Sequence, residues 1–287
     1  MTMTLRPRRS VLYMPGVNQR AMEKAKSLDC DAVILDLEDA VAPARKDEAR
    51  GLVCDQVRAG GYGHREMIVR VNGEQTPWFQ DDMKAAVGAA PDAVLVPKVD
   101  DAAMAKRCLE QLGDAAHRPA LWVMIETPQA LANVDEIAAS GAAVMVMGTS
   151  DLIKELRVEP GAERLPLLYA LSRTVVAARR FGCEVLDGVC LDLRDVAAFE
   201  SVCRQGRALG FDGKTLIHPS QVEPANRLFG PDLSEVEQAR RVLAAWKDAL
   251  AEGKGVAVLD GNMIENLHAD QAQRVVAFAE ALAARTA

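Results

Sequence analysis

The sequence predicts an α/β protein, a (β/α)8 TIM barrel with a C-terminal helical extension. Three observations predict it. Short apolar runs alternate with stretches of helical period, which implies parallel strands joined by helices. Most of these runs are continuous rather than alternating, the pattern of strands covered on both faces. Eight such units fall within about 220 residues with no long polar linker, which suits one barrel domain. A doubly wound open sheet is the alternative architecture. No GxGxxG follows the first run, which counts against a dinucleotide fold.

The clearest run is Leu121-Trp-Val-Met-Ile125, stopped by Glu126 with Pro128 two residues on. Proline cannot continue such a strand, so Glu126 is expected at its carboxyl end. The next run, 144–147, ends in Gly148-Thr-Ser-Asp151. In chain order, the first strand covers 10–14 and turns at Pro15-Gly16, with Asn18 placed to cap a helix through Leu28. The second strand, 32–37, leads into Glu38-Asp39, and Pro43 opens a helix to about residue 58. The third strand, 67–71, ends at Arg70-Val-Asn72, and Pro77 opens a helix toward Val87. The fourth, 93–97, ends at Lys98 and is followed by a helix over 102–112. Helices are expected near 129–139 and 165–181 after strands five and six. Strand seven covers 184–189, and a helix follows over 196–209. Strand eight covers 214–217 and stops at His218-Pro219. Residues 1–230 make the barrel in this reading. Residues 231–287 make a helical arm or lid, completing the barrel or a neighbour's active site: a long helix to about 251, a short run at 256–259, the turn Asp260-Gly-Asn262 and a final helix.

With 287 residues, 49% hydrophobic and 26% charged, the chain has the mix of an ordinary globular protein. Its net charge of −7 gives no support for binding nucleic acid or an anionic membrane. No apolar run approaches the roughly 20 residues of a membrane span. The basic start, Met1 to Arg9, precedes a run too short for a signal-peptide core, so a cytoplasmic location is expected. Cys30, Cys54, Cys108, Cys183, Cys190 and Cys203 form no CxxC pair, and reduced, partly buried thiols are expected rather than a zinc site.

In barrels the reacting groups come from the carboxyl ends of the strands. Those ends carry Asp36, Glu38, Asp39, Arg70, Lys98, Glu126, Asp151, Asp187 and His218. Carboxylates outnumber cations there, and a cluster of like charges in a low-dielectric mouth calls for a cation. Oxygen-only ligands on neighbouring strands point to Mg²⁺ on Glu126 and Asp151, with open positions for substrate oxygens and water. Arg70 is placed to clamp a substrate carboxylate bidentately. Each group also has a structural reading. Glu126 and Asp151 would cap helices, and Asp36 and Glu38 would pair with Arg45, Lys46 or Arg70. Lys98 would neutralise nearby acids, Asp187 would cap a turn, and His218 would be a hydrogen-bonded loop residue.

Seven stretches resemble the citrate lyase β-subunit and malyl-CoA lyase family of (β/α)8 barrels. They are Ser10-Val-Leu-Tyr-Met-Pro-Gly16, Asp36-Leu-Glu-Asp-Ala-Val41, Arg70-Val-Asn72, Pro97-Lys98, Ile125-Glu-Thr-Pro128, Gly148-Thr-Ser-Asp-Leu152 and Gly213-Lys-Thr-Leu-Ile-His-Pro-Ser-Gln221. The resemblance implies a Mg²⁺-dependent carbon–carbon lyase for β-hydroxyacyl thioesters such as malyl-, citramalyl- or citryl-CoA, releasing an oxo-acid. It implies metal ligation by Glu126 and Asp151, with Glu38 and Asp39 supporting through water and Asp36 beside them. It assigns the oxo-acid carboxylate to Arg70 and the CoA moiety to Tyr13, Arg20 and Lys24. Asp260 would be the acid/base, delivered by a neighbouring subunit of a homotrimer or hexamer. Asn18 stands where some malyl-CoA lyases carry a basic residue. The stretch from Leu152 to Leu156, with Arg157 following, resembles the citrate lyase β-subunit loop. Two other activities fit the same residues: hydrolysis of a malyl thioester, and a metal-dependent class II aldolase reaction on free hydroxy-keto acids. A non-catalytic acyl-CoA-binding barrel is a further reading.

Overall fold

The computed structural model describes residues 5–114 and 118–285. Eight parallel strands close on themselves in sequence order, β1 pairing with both β2 and β8. The elements run β1 (Ser10–Pro15), α1 (Gln19–Ala25), β2 (Ala32–Asp36), α2 (Lys46–Ala59), β3 (Glu66–Arg70), α3 (Phe79–Ala89), β4 (Ala93–Val96) and α4 (Ala102–Leu112). They continue with β5 (Ala120–Ile125), α5 (Pro128–Ala132), α6 (Val134–Ala138), β6 (Val144–Met147), α7 (Thr149–Leu156), α8 (Leu168–Phe181), β7 (Glu184–Asp187), α9 (Val196–Leu209), β8 (Gly213–Leu216) and α10 (Val222–Phe229). The (β/α)8 architecture is the one the apolar runs predict.

Strand parity explains where the side chains go. Val11, Ala32, Ile34, Ile68, Ala93, Leu95, Trp122, Met124, Val144, Val146 and Leu186 pack into one buried cluster, the filling of the barrel. Side chains two apart on a strand share a face. Counting forward by two from this filling gives Asp36 after Ile34, Arg70 after Ile68, Glu126 after Met124 and Gly148 after Val146. The polar residues at the mouth are therefore the next rung of the same inward-facing ladder. At the opposite end, Arg8 closes the barrel. It donates to Glu66 at 2.6 and 2.8 Å, pairs with Glu184 at 2.5 Å and lies 5.3 Å over the Trp122 ring.

Asp187 is one residue off that parity. The mouth position expected for it is corrected: it turns outward, fully buried, toward the layer between strands and helices. There it accepts from Arg164 Nη1 at 2.8 and 3.0 Å and from Lys214 Nζ at 3.2 Å. Arg164 also donates to Gln205 of α9 at 2.7 Å. Burial pushes the Asp187 carboxyl up, but Lys214 and Arg164 outweigh it, and the net shift is downward.

Other differences are local. The single helix expected over 129–139 is two pieces broken at Asn133, whose side chain donates to the Asp100 carbonyl at 2.8 Å. The periodicity did not show α7 and α10, each eight residues long, too short for a clear helical pattern. Asn18 accepts from the Ala21 N–H, as a cap should. The six cysteines are free, and all but Cys190 are buried. Among the described residues no helix is long and apolar enough to cross a membrane.

The chain divides into two compact units. One spans residues 8–226; the other joins the described residues before 8 to those from 227 onward. The second unit holds α11 (Leu233–Ala251), β9 (Ala257–Leu259), β10 (Asn262–Ile264) and α12 (Asn266–Ala283). A capping box between Asp232 and Glu235 starts α11. Strands β9 and β10 form an antiparallel hairpin whose turn, Asp260-Gly261, has φ of +53° and +79°. Asp-Gly suits such a turn because both residues tolerate positive φ.

Removing the Asp187 carboxylate leaves two buried cations without their counter-charge. Asp187→Ala is expected to cost about 3–5 kcal/mol, read as a fall in Tm of roughly 10 °C in a thermal melt. A change under 2 °C would show the triad to be dispensable for stability.

Candidate active site

The carboxyl ends of the strands surround a cavity of about 340 Å³. Tyr13, Asp36, Asp39, Arg70, Glu126 and Asp151 line it, joined by Met124, Met147, Gly148, Thr149, Ser150, Val189, Leu191, Thr215 and Ile217. Its floor is apolar and its charged groups gather on the side of β2, β3, β5 and β6.

Arg70 holds the charged side together. Its Nε and Nη2 donate to the two oxygens of Asp36 at 2.6 and 2.7 Å, across adjacent strands that pair Asp36 with Arg70. Its Nη1 lies 2.8 Å from Glu38 Oε2, an ion pair without hydrogen-bond alignment, and 3.6 Å from Asp39. The guanidinium sits 4.8 Å over the Tyr13 ring. Burial raises the Asp36 pKa, yet Arg70 and the N–H groups of Glu38 and Ala40 bring it below the usual carboxylate range. Burial lowers that of Arg70, but Asp36 and its neighbours reverse this and push it well up. The Nε/Nη2 edge of Arg70 is already bound to Asp36, and Nη1 is paired with Glu38.

Glu126 and Asp151 reach the cavity by different routes. Glu126 directly follows β5 and is almost wholly buried. Thr127, not Glu126, caps α5 by accepting from the Ala130 N–H at 2.9 Å. Glu126 Oε1 instead accepts from the Lys98 N–H at 2.8 Å. A Cβ at Gly148 would collide with the Glu126 side chain, so only glycine lets β6 end against this carboxyl. Asp151 lies in the first turn of α7, not on the strand itself. No hydrogen bond or ion pair to its side chain exists among the described residues. Burial, then Glu38 and Asp151, push the Glu126 carboxyl up to about 8. Lys98 opposes this, but its ammonium stands 3.0 Å from Glu38 Oε1. Its neutralising role is thus directed at Glu38, itself raised by burial against the pull of Arg70.

These residues fit a hard divalent cation. Two carboxylates face one cavity, one of them held in its proton-retaining form by burial beside other acids. Among the described residues no set of three or more Asp, Glu, His or Cys is arranged to hold a metal. The protein would therefore supply two oxygen ligands and leave the other positions to water and substrate, the usual manner of Mg²⁺.

Other expected residues lie elsewhere. Arg20 and Lys24 are exposed on α1 and do not line the cavity. His218 caps the turn after β8, accepting from the Ser220 N–H at 3.2 Å. Asp260 belongs to the second unit, where it pairs with Arg241 at 2.7 Å. Sequence reading missed Gly148, Met124, Thr215 and Ile217. Counting by two along the strands would have found all four.

A (β/α)8 barrel with two carboxylates and a buried arginine at the carboxyl ends of its strands places its polar chemistry where barrel enzymes act. The chain belongs to the HpcH/HpaI aldolase/citrate lyase family, whose profile matches residues 9–219. It is 47% identical to a (3S)-malyl-CoA thioesterase of Cereibacter sphaeroides strain KD131, over 97% of this chain and 96% of that one. It is 34% identical to citrate lyase subunit beta of Escherichia coli K12, over 96% and 94% of the two chains. Among solved structures it resembles CitE of Mycobacterium tuberculosis in complex with magnesium, acetoacetate and coenzyme A. That match has a TM-score of 0.77 and 30% identity, and covers 95% of this chain and 99% of the other.

The Glu126 shift has a consequence for stability. In the ion-free chain an unfolded glutamate loses its proton near pH 4.5, while folded Glu126 keeps it to about pH 8. The folded state then binds the extra proton, so this group lowers stability progressively as pH rises from 4.5 to 8. Without divalent ions at pH 7.5, Glu126→Gln is expected to melt higher than wild type by at least about 2–4 °C, corresponding to about 1 kcal/mol. The gap should close at pH 4.5. A lower Tm for the variant at pH 7.5 would overturn the assignment.

Proposed function

We propose that the protein is a Mg²⁺-dependent enzyme acting on a β-hydroxyacyl-CoA thioester of the malyl type. The first reading of its reaction is hydrolysis to the free hydroxy-acid and CoA. The observation that carries the metal site is the joint facing of Glu126 and Asp151 into the cavity beside Arg70. The substrate class follows the full-length similarity to the (3S)-malyl-CoA thioesterase. A second reading is carbon–carbon cleavage to an oxo-acid and an acyl-CoA. The citrate lyase subunit beta relatives support it, as do a citrate lyase beta subunit complexed with oxaloacetate and magnesium and a CitE complex with magnesium and pyruvate.

Glu126 and Asp151 would hold the ion, which would polarise substrate oxygens and lower the pKa of a bound hydroxyl or water. Arg70 Nη1 offers one charge-assisted hydrogen bond to a substrate carboxylate. Asp36 keeps the guanidinium in place, with Glu38 and Asp39 beside it. Tyr13, under the guanidinium, gives the cavity an apolar wall, and its hydroxyl is kept protonated by burial. Arg20 and Lys24, exposed on α1, are available to CoA phosphates. We assign proton transfer to Asp260, delivered by a neighbouring subunit. In hydrolysis it would take a proton from the water whose oxygen bonds to the thioester carbonyl carbon, and pass it to the sulfur as the C–S bond breaks and CoA leaves as the thiol. In cleavage the β-hydroxyl would give up its proton as the oxo-acid C=O forms and the C–C bond breaks, and Asp260 would protonate the α-carbon of the acyl thioester so released. The same reading includes a homo-oligomer, a trimer or hexamer, in which the residues from 231 onward act as an arm or lid.

The test is malyl-CoA with and without Mg²⁺. Hydrolysis releases malate and free CoA; cleavage releases glyoxylate and acetyl-CoA. Turnover of free hydroxy-keto acids without CoA would point to an aldolase instead, and no Mg²⁺-dependent turnover of either kind would sink the proposal. Asp260→Asn is expected to keep KM while kcat falls by about 10²–10⁴-fold; near-normal turnover removes Asp260 from the mechanism. Arg70→Lys is expected to lower both kcat/KM and Tm, because lysine cannot make the two-bonded pair with buried Asp36. A normal Tm in that variant would contradict the pairing.

A further inference from the structure

We propose that Lys98 is a positioning residue of the mouth, its backbone acting on Glu126 and its ammonium on Glu38. The proposal rests on the divalent-ion reading of Glu126 and Asp151. Lys98 follows Pro97 just beyond β4 and has φ of +53°. Residues with a Cβ seldom enter this left-handed region, because the side chain crowds the following carbonyl. Here that conformation accompanies a contact: the Lys98 N–H meets Glu126 Oε1 at 2.8 Å. A backbone donor on one carboxylate oxygen restrains the carboxyl and leaves Oε2 outside the bond. Partners of this kind orient metal-binding carboxylates.

The other end of Lys98 reaches the second acid. Nζ lies 3.0 Å from Glu38 Oε1, and Glu38 Oε2 lies 2.8 Å from Arg70 Nη1. One residue thus joins the carboxyl that would face an ion to the carboxyl that faces Arg70. A lysine present only to neutralise charge would need its ammonium and no particular backbone. The left-handed turn and its hydrogen bond are what that simpler role leaves unexplained.

Two variants separate the roles in the full-length chain. Lys98→Gly and Lys98→Val both lose the ammonium. Glycine adopts positive φ without steric cost, whereas a β-branched residue resists it. The probe is Mn²⁺ in place of Mg²⁺, titrated by electron paramagnetic resonance. Lys98→Gly should bind Mn²⁺ within about threefold of wild type, and Lys98→Val about 10–100-fold more weakly. Both should keep the wild-type circular dichroism spectrum. Should valine unfold the chain, Lys98→Ala reads the same backbone under less strain. Equal Mn²⁺ affinity in the glycine and β-branched (or alanine) variants overturns the proposal. A metal-independent measurement stands beside it: the Lys98 amide of the ion-free chain should be protected from hydrogen exchange and lose that protection in Glu126→Ala. If wild type takes up no Mn²⁺, the divalent-ion reading of the site falls. Amide exchange then decides Lys98, with unchanged protection in Glu126→Ala counting against it.

Discussion

Arg70 gives both hydrogen bonds of one guanidinium edge to Asp36, across neighbouring strands and with both side chains buried. A buried charge without a partner costs several kcal/mol or changes its protonation. The pair therefore holds both side chains in one arrangement. That arrangement leaves Nη1 for Glu38 and the cavity, and sets the guanidinium on the Tyr13 ring. Among the described residues no ion pair joins Glu126 to this cation, and burial among other acids keeps its proton on. The mouth is thus divided into a neutralised half around β2 and β3 and a charge-deficient half around β5 and β6.

The division gives the site its chemical character. In the neutralised half every charge has a near partner. The deficient half is poised to accept a cation, since an ion would relieve a cost the fold already bears. This is how a site can trade stability for function. Gly148 and Lys98 frame the same carboxyl from two sides: one by having no side chain, the other through its backbone. Two protein ligands leave the remaining coordination to water and substrate, so what binds there should bring oxygens of its own.

Much of the fold was legible because a parallel barrel writes itself as buried apolar runs. The runs ending at Asp36, Arg70 and Glu126 sit within a residue or so of the observed strands. The short helix that carries Asp151 was not legible, since eight residues give too little period to separate it from a loop. Asp187 illustrates a different limit. Its position at a strand end was read correctly, but one step of parity sends its side chain outward to Lys214 and Arg164. Run boundaries known to within a residue cannot supply that parity, because a slip of one reverses every face.

By itself the sequence determined the order of strands and helices, the excess of acids where strands end, and the residue types able to hold a hard cation. These depend on local properties: apolar runs, proline and glycine stops, and side-chain chemistry. The tertiary structure alone decided which acids share a cation and which lack one. Closing the barrel brings Asp36 to Arg70 from another strand, and Glu126 to the Lys98 N–H across 28 residues. Charge pairing falls off with distance through space and not along the chain.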